Sequence, residues 1–154
     1  YFIIRFITAT GVRVSELISF QIQDVINGYK DIYSKGNKMR RVYIPTALQE
    51  DTLQWLESEC RKKGPLFLSH LKRGISVSGI RSQLKTFAYR YHLDPKVVYP
   101  HSFRHRFAKN FIENGGDIAF LSNLLGHTSI ETTRIYLRRS STEQSLIVNQ
   151  IVDW

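Results

Sequence analysis

The chain has almost none of the cysteine that staples small secreted domains or builds zinc modules. Its single Cys60 can close no internal disulfide and offers no CxxC metal pair, a usage that suits a reducing cytosol. Long apolar runs are missing too. The longest, 1–4 and 118–121, have four residues, whereas a membrane-spanning helix needs about 18 or more. With no signal-peptide pattern either, the expectation is a cytoplasmic protein without a membrane partner. Neither GxxxxGK[ST] nor GxGxxG occurs, so nucleotide-driven chemistry has no support. Methionine occurs once, at Met39, and the chain opens inside the apolar stretch YFIIRFI with no start residue or helix-capping signal. It reads as a piece of a longer protein.

One region also lacks acid. Residues 60–110 hold twelve Lys or Arg against the single Asp94, together with four of the five histidines, in a chain of 154 residues and net charge +9. Charge concentrated in this way fits a polyanion, nucleic acid above all. Lys62, Lys72, Arg73, Arg81, Lys85 and Arg106 are the candidate DNA contacts. No carboxylate cluster accompanies them, which argues against a two-metal nuclease site. Phosphoryl chemistry here would need an amino-acid nucleophile and cationic side chains, with no metal or other cofactor.

What is present predicts one folded domain, since 42% of the residues are apolar and 23% charged. Residues 1–8 read as the end of a buried helix that breaks at Gly11 and restarts with Ser15 as cap, leaving Arg13 in a tight turn. From Val25 to Ile44, the Asn27-Gly28 pair, the alternation in YKDIY and MRRVYI and the turn SKGNK predict a small antiparallel sheet with Lys35 at a hairpin tip. Thr46 caps a helix with the stripe Leu48, Thr52, Trp55, Leu56 and Cys60. Ile80, Leu84, Phe87, Ala88 and Tyr91 line one face of the next helix. Another starts near Ser102, buries Phe103, Phe107, Phe111 and Ile112, and stops at Gly115-Gly116. Asp117 caps IAFLSNLL, Gly126 ends it, and Thr128-x-x-Glu131 forms a capping box for IETTRIYL. A last amphipathic helix is expected over 141–154. The fold class is mainly α with a small antiparallel β-sheet.

The segment HSFRH supports two readings. His101 and His105 have the i, i+4 spacing of a helical metal pair, but Arg104 and Arg106 beside them repel a cation. Alternatively, His101 and Arg104 share a helix face and converge on a phosphate, the guanidinium bonding two oxygens while the imidazole moves a proton. Residues 116–137 also suit a helix-turn-helix unit, although Arg134 is the one strong base reader on its second helix.

ATGVRVSEL, SKGNKMRRVYIP, HSFRH and LLGHTSIETTRIY, in this order and at these separations, resemble the successive boxes of the tyrosine recombinase (lambda-integrase-like) catalytic domain, from about Thr8 to Leu137. The resemblance implies a single catalytic domain over 1–154, without the family's N-terminal DNA-binding domain and with 141–154 as a tail. It implies Arg13 as the first phosphate-clamping arginine, Glu16 behind it, and Lys35 as general acid toward the leaving 5′-oxygen. Ser34 stands where the family often has glycine, and Lys38 is the alternative acid. His101 and Arg104 match the H-x-x-R pair, His127 the His/Trp position, and Tyr136 the nucleophile. The implied activity is site-specific recombination, cutting and rejoining double-stranded DNA through a 3′-phosphotyrosine. Copies of the chain would assemble as a synaptic tetramer, with the tail docking in trans, in a nucleoid-associated setting. A type IB topoisomerase shares this chemistry, and a helix-turn-helix regulator would bind without it.

Overall fold

The computed structural model describes residues 1–34, 38–127, 129–137 and 148–149. The hairpin tip at Lys35 and, apart from Val148 and Asn149, the tail over 141–154 lie outside the described residues. Helix α1 (Phe2–Thr10) buries Phe6, Ile7 and Thr10 and ends at Gly11, whose φ of 64° is left-handed. Glycine is required there twice over, because a Cβ would also lie 2.4 Å from the Phe107 ring.

The next turn departs from expectation. Helix α2 (Val14–Leu17) is capped by Arg13, not by Ser15. Glu16 reaches back so that its Oε2 accepts the Arg13 backbone N–H at 2.8 Å, which stabilises the start two residues earlier. The sheet is also shorter than predicted. Residues Ile22–Asn27 form α3, started by Asp24 accepting the Gln21 N–H at 2.8 Å and closed by Gly28 at φ 78°. The strands are β1 (Tyr29–Ser34) and β2 (Lys38–Tyr43), antiparallel, with Tyr29 opposite Tyr43 and Ser34 opposite Lys38. Arg41 grips its cross-strand partner Asp31 at 2.7 and 2.8 Å on one face. Val42 and Ile44 are buried on the other.

Helix α4 (Thr46–Ser58) follows Pro45 as cap, with Thr46 already inside it, and buries Leu48, Thr52 and Leu56. Trp55 stacks on Phe2 with ring centroids 4.8 Å apart. Cys60 does not extend this stripe: the helix has ended, and Cys60 is exposed in a turn at φ 53°. An irregular segment delivers Leu66, Phe67 and Ile75 to the core. Ser76 then caps α5 (Val77–Arg90), accepting the Gly79 N–H at 3.0 Å. Its inward row is Ile80, Leu84 and Ala88, while Phe87 and Tyr91 sit at the margin, 41% and 57% exposed.

Helix α6 (Pro100–Glu113) begins two residues before Ser102, because proline's fixed φ suits the first helical position. It packs along α1. Its buried face is Pro100, Arg104, Ala108 and Ile112, with the half-buried Phe103, Phe107 and Phe111 flanking it. Asp117 accepts the Phe120 N–H at 2.7 Å to start α7 (Ile118–Leu125), which ends on Gly126 at φ 62°. A single turn, α8 (Glu131–Arg134), runs into a 3₁₀ turn, Ile135–Leu137. Thr128 of the expected capping box lies outside the described residues; Ser129 Oγ accepts the Glu131 N–H at 3.2 Å. The apolar residues form two clusters. The large one spans α1 to α5 and the hairpin, and the small one consists of Ala108, Ile112, Leu121 and Leu125 with Phe107, Phe111, Ile118 and Tyr136 against them.

Two alanine substitutions separate backbone strain from crowding. Gly64 has φ 98° and open space around it, so Gly64→Ala is expected to cost only the left-handed strain, about 1–2 kcal/mol. Gly11→Ala adds the overlap with Phe107, for about 1–3 kcal/mol more. Urea unfolding of both variants measures the difference, and equal midpoints would contradict the close approach.

Candidate active site

The end of α7 is where the fold gathers its cations. A helix C-terminus exposes carbonyls that lack intrahelical partners and carries partial negative charge. Three arginines from three other elements take them. Arg40 of β2 donates to the Leu124 carbonyl at 2.7 Å, Arg104 of α6 to Leu125 at 2.6 Å, and Arg13 to Gly126 at 3.2 Å. Arg104 also donates to the Gly11 carbonyl at the end of α1.

The three differ in what else they hold. Arg40 and Arg13 share Glu16, at 2.5 and 3.0 Å. Burial disfavours the Glu16 charge, but Arg40 and then Arg13 outweigh it and keep the carboxyl below its ordinary value. Arg104 is 4% exposed and, among the described residues, meets carbonyls and one ring nitrogen. Burial, with Arg13 and Arg40 nearby, brings its pKa down to about 10, so at neutral pH it remains a cation without a carboxylate in contact. Of its five N–H groups, three are used by Gly11, Leu125 and His127.

His127 follows α7 directly. Its Nε2 lies 3.4 Å from Arg104 Nη2 and its Nδ1 2.8 Å from the hydroxyl of the buried Thr133. Arginine can only donate, so Nε2 accepts and the ring proton sits on Nδ1, donated to Thr133. Burial, then Arg104, Arg13 and Arg40, push its pKa down to about 4. His101 and His105 stack edge to face at 4.3 Å, and the His105 ring meets Tyr136 at 5.4 Å in the same manner. Burial, followed by His101 and Arg104, lowers the His105 pKa. Burial raises that of Tyr136 despite the pull of Arg104, so the phenol is protonated at neutral pH. Among the described residues no third His, Cys, Asp or Glu joins the two histidines in a group able to hold a metal ion.

A cleft of about 600 Å³ opens onto this cluster, with Arg13, His101, Arg104, Tyr99, Arg81 and Lys85 among its walls. Of the six residues expected to carry chemistry, Arg13, His101 and Arg104 line it. His127 is held against Arg104, and Tyr136 stands behind His105 within its electrostatic reach. Lys35 lies outside the described residues. Of the candidate DNA contacts, Arg81 and Lys85 reach the cleft. Lys72 borders a separate hollow near Trp55, Lys62 and Arg73 are exposed on the irregular segment, and Arg106 is exposed about 200° round α6 from Arg104. Arg40 was not singled out from the sequence, and His105 was weighed there only as a metal ligand. Arg40 was signalled by strand parity with the apolar Val42 and Ile44, and His105 by its place one position after Arg104. The helix-turn-helix reading fails: α8 is a single turn and its Arg134 is paired with Glu131 at 2.8 Å.

Helices around one hairpin, with histidines and arginines converging beside a tyrosine, define a tyrosine recombinase catalytic-domain fold. The catalytic domain of bacteriophage HP1 integrase superposes with TM-score 0.65 at 27% identity, covering 99% of this chain and 83% of that one. XerH site-specific recombinase, solved bound to difH substrate, superposes with TM-score 0.72 at 26% identity over 95% of this chain and 44% of that one. In sequence, tyrosine recombinase XerD of Staphylococcus haemolyticus (strain JCSC1435) is 35% identical over 96% of this chain and 52% of its own length. The chain belongs to the phage integrase family, which matches it over residues 1–143. It spans about half the length of the XerD relatives it matches.

The pKa of His127 makes a testable statement about pH. An unfolded histidine titrates near 6.5 and the folded one near 4, so between these values the unfolded chain binds more protons and stability falls as pH falls, levelling off below about 4. His105 acts in the same direction. Thermal unfolding from pH 7 to pH 4 should show this loss, and His127→Gln should flatten it; identical slopes would refute the assignment.

Proposed function

We propose that this chain is the catalytic part of a site-specific DNA recombinase, with Tyr136 as nucleophile. The observation that carries the reading is Arg104, a buried cation with no carboxylate in contact among the described residues, at the floor of a cleft that also holds Arg13 and His101. A buried charge demands a counterion, and a phosphodiester supplies one with oxygens spaced for a guanidinium fork. The complex of XerH with its difH substrate supports DNA as the partner.

In this reading the scissile phosphate enters the cleft between Arg13 and Arg104, and its charge offsets the arginines that, after burial, hold His127 neutral, which favours proton uptake by the ring. Tyr136 Oη attacks phosphorus while the phenolic proton passes to the imidazole pair His101–His105. The P–O5′ bond breaks, and the leaving oxygen takes a proton from Lys35 or, as the alternative, Lys38. A 3′-phosphotyrosine ester conserves the bond energy, and attack by a new 5′-hydroxyl reverses the sequence without a nucleotide. Arg81 and Lys85 extend the cationic wall along flanking phosphates, with Lys62, Lys72, Arg73 and Arg106 as more peripheral contacts. Recombination of two sites further requires copies of the chain assembled on DNA as a synaptic tetramer, with the segment 141–154 docking onto a neighbouring copy.

The test is covalent capture on a library of nicked duplexes with a randomised arm, resolved by denaturing electrophoresis and sequenced. The wild-type chain should form an adduct. Tyr136→Phe should abolish it while DNA binding persists, and Arg104→Lys should lower cleavage by roughly 10²–10³ with little change in affinity. An adduct with Tyr136→Phe would overturn the nucleophile assignment. For the cationic wall, Arg81→Gln combined with Lys85→Gln should reduce the slope of log affinity against log salt by about 1–2, and Arg106→Gln should change it less.

A further inference from the structure

The inward row of β2 holds a residue with no obvious reason to be charged. Residues 40, 42 and 44 share one face, and Val42 and Ile44 are buried in the large core. Arg41, on the other face, is held by Asp31 and lies 3.8 Å over the Tyr29 ring. Arg40, with its side chain 11% exposed, turns into the site. Nη1 caps the Leu124 carbonyl and Nη2 meets Glu16 Oε2. Its stem packs so closely on Gly126 that a Cβ there would lie 2.5 Å from Cδ.

The division of Glu16 between two arginines is the informative feature. Oε2 takes Arg40 and the Arg13 backbone N–H, while Oε1 takes Arg13 Nη1. The Arg13 side chain nonetheless remains 42% exposed on the cleft wall. We propose that Arg40 is a positioning residue for phosphate capture: it shares the charge of Glu16 with Arg13, so that the exposed edge of the Arg13 guanidinium stays turned to the cleft for the phosphate, and it ties β2 to the end of α7. Without Arg40, Glu16 keeps a half-buried carboxylate whose remaining cationic contact among the described residues is Arg13, and Coulomb attraction draws that guanidinium out of the cleft. A lysine has one ammonium in place of the two prongs, so it can serve Glu16 or the Leu124 carbonyl but not both in this geometry.

This inference rests on the recombinase reading and is tested on the nicked duplex selected above, by single-turnover adduct formation at saturating DNA. Arg40→Gln should cut the cleavage rate on the order of 10²-fold, the scale of one misplaced transition-state donor, while DNA affinity changes less than about threefold. Arg40→Lys should regain part of the rate. The decisive variant combines Arg40→Gln with Glu16→Gln: with no carboxylate left to capture Arg13, it should cleave faster than Arg40→Gln alone. A purely structural role makes cleavage follow folding stability, since an unpaired part-buried carboxylate destabilises the fold. Urea unfolding of each variant therefore accompanies the rates, and a rate loss in Arg40→Gln that disappears wherever the variant is fully folded counts as structural, against the inference. Wild-type cleavage by Arg40→Gln, or a double variant no faster than the single one, overturns the inference and leaves the recombinase reading intact. Absence of an adduct with the wild-type chain overturns both. Should Arg40→Gln fail to fold, Arg40→Lys with and without Glu16→Gln decides by the same comparison.

Discussion

Three consecutive carbonyls at the end of α7, those of Leu124, Leu125 and Gly126, each accept an arginine from a different part of the chain. The rest of the site depends on this meeting. A helix terminus left with unpaired carbonyls in a part-buried setting would be costly, and three guanidinium groups gathered without an acceptor would repel one another. Each problem solves the other. The helix end accepts the cations, and the cations fix where α7 stops, so that the chain turning at Gly126 delivers His127 against Arg104. The close approach of Arg40 to Gly126 and of Phe107 to Gly11 shows how tightly the surrounding backbone is drawn in.

The charge balance of this knot explains its chemistry. Glu16 is the carboxylate in contact with the arginine cluster, and it serves two of the three. Among the described residues the site therefore retains positive charge, and together with burial this displaces its ionisable groups. Burial, with the arginines adding to it, holds His127 neutral, and burial holds the Tyr136 phenol protonated against the pull of Arg104. Preorganisation of this kind places the cost of desolvating the cations in the folding of the chain, before substrate arrives.

Much of this was legible beforehand, and the failures have physical causes. Glycines 11 and 126 marked helix ends because left-handed turns need them, and the periodicity of residues 80–88 and 103–112 placed two helices. Arg13, His101, Arg104, His127 and Tyr136 were readable from their boxes, although nothing local shows that segments more than a hundred residues apart close on one helix end. The cap of α2 was misplaced because Glu16 acts on the backbone N–H of Arg13, a contact that competes with the better intrinsic cap Ser15. The sheet was overextended because Asn27-Gly28, a good hairpin signal, serves here as a helix end followed by a strand. Arg40 passed unnoticed because an arginine in an alternating strand is ordinarily assigned to solvent, and a buried one is recognised only with its acceptors in view.

The two apolar clusters have a mechanical meaning. Arg104 bridges them, with one prong on Gly11 at the end of α1 in the large cluster and another on Leu125 in the small one. Arg13 and the hairpin are rooted in the large body, whereas Tyr136 rests on the small one. The spacing between the Arg13 wall of the cleft and the Tyr136 ring is therefore set by how α6 and Arg104 join the two clusters. With four buried apolar residues at its centre among those described, against sixteen in the large one, the small cluster is the more easily loosened of the two. Loosening on that side would displace the Tyr136 ring first and leave the packing beneath Arg13 in place.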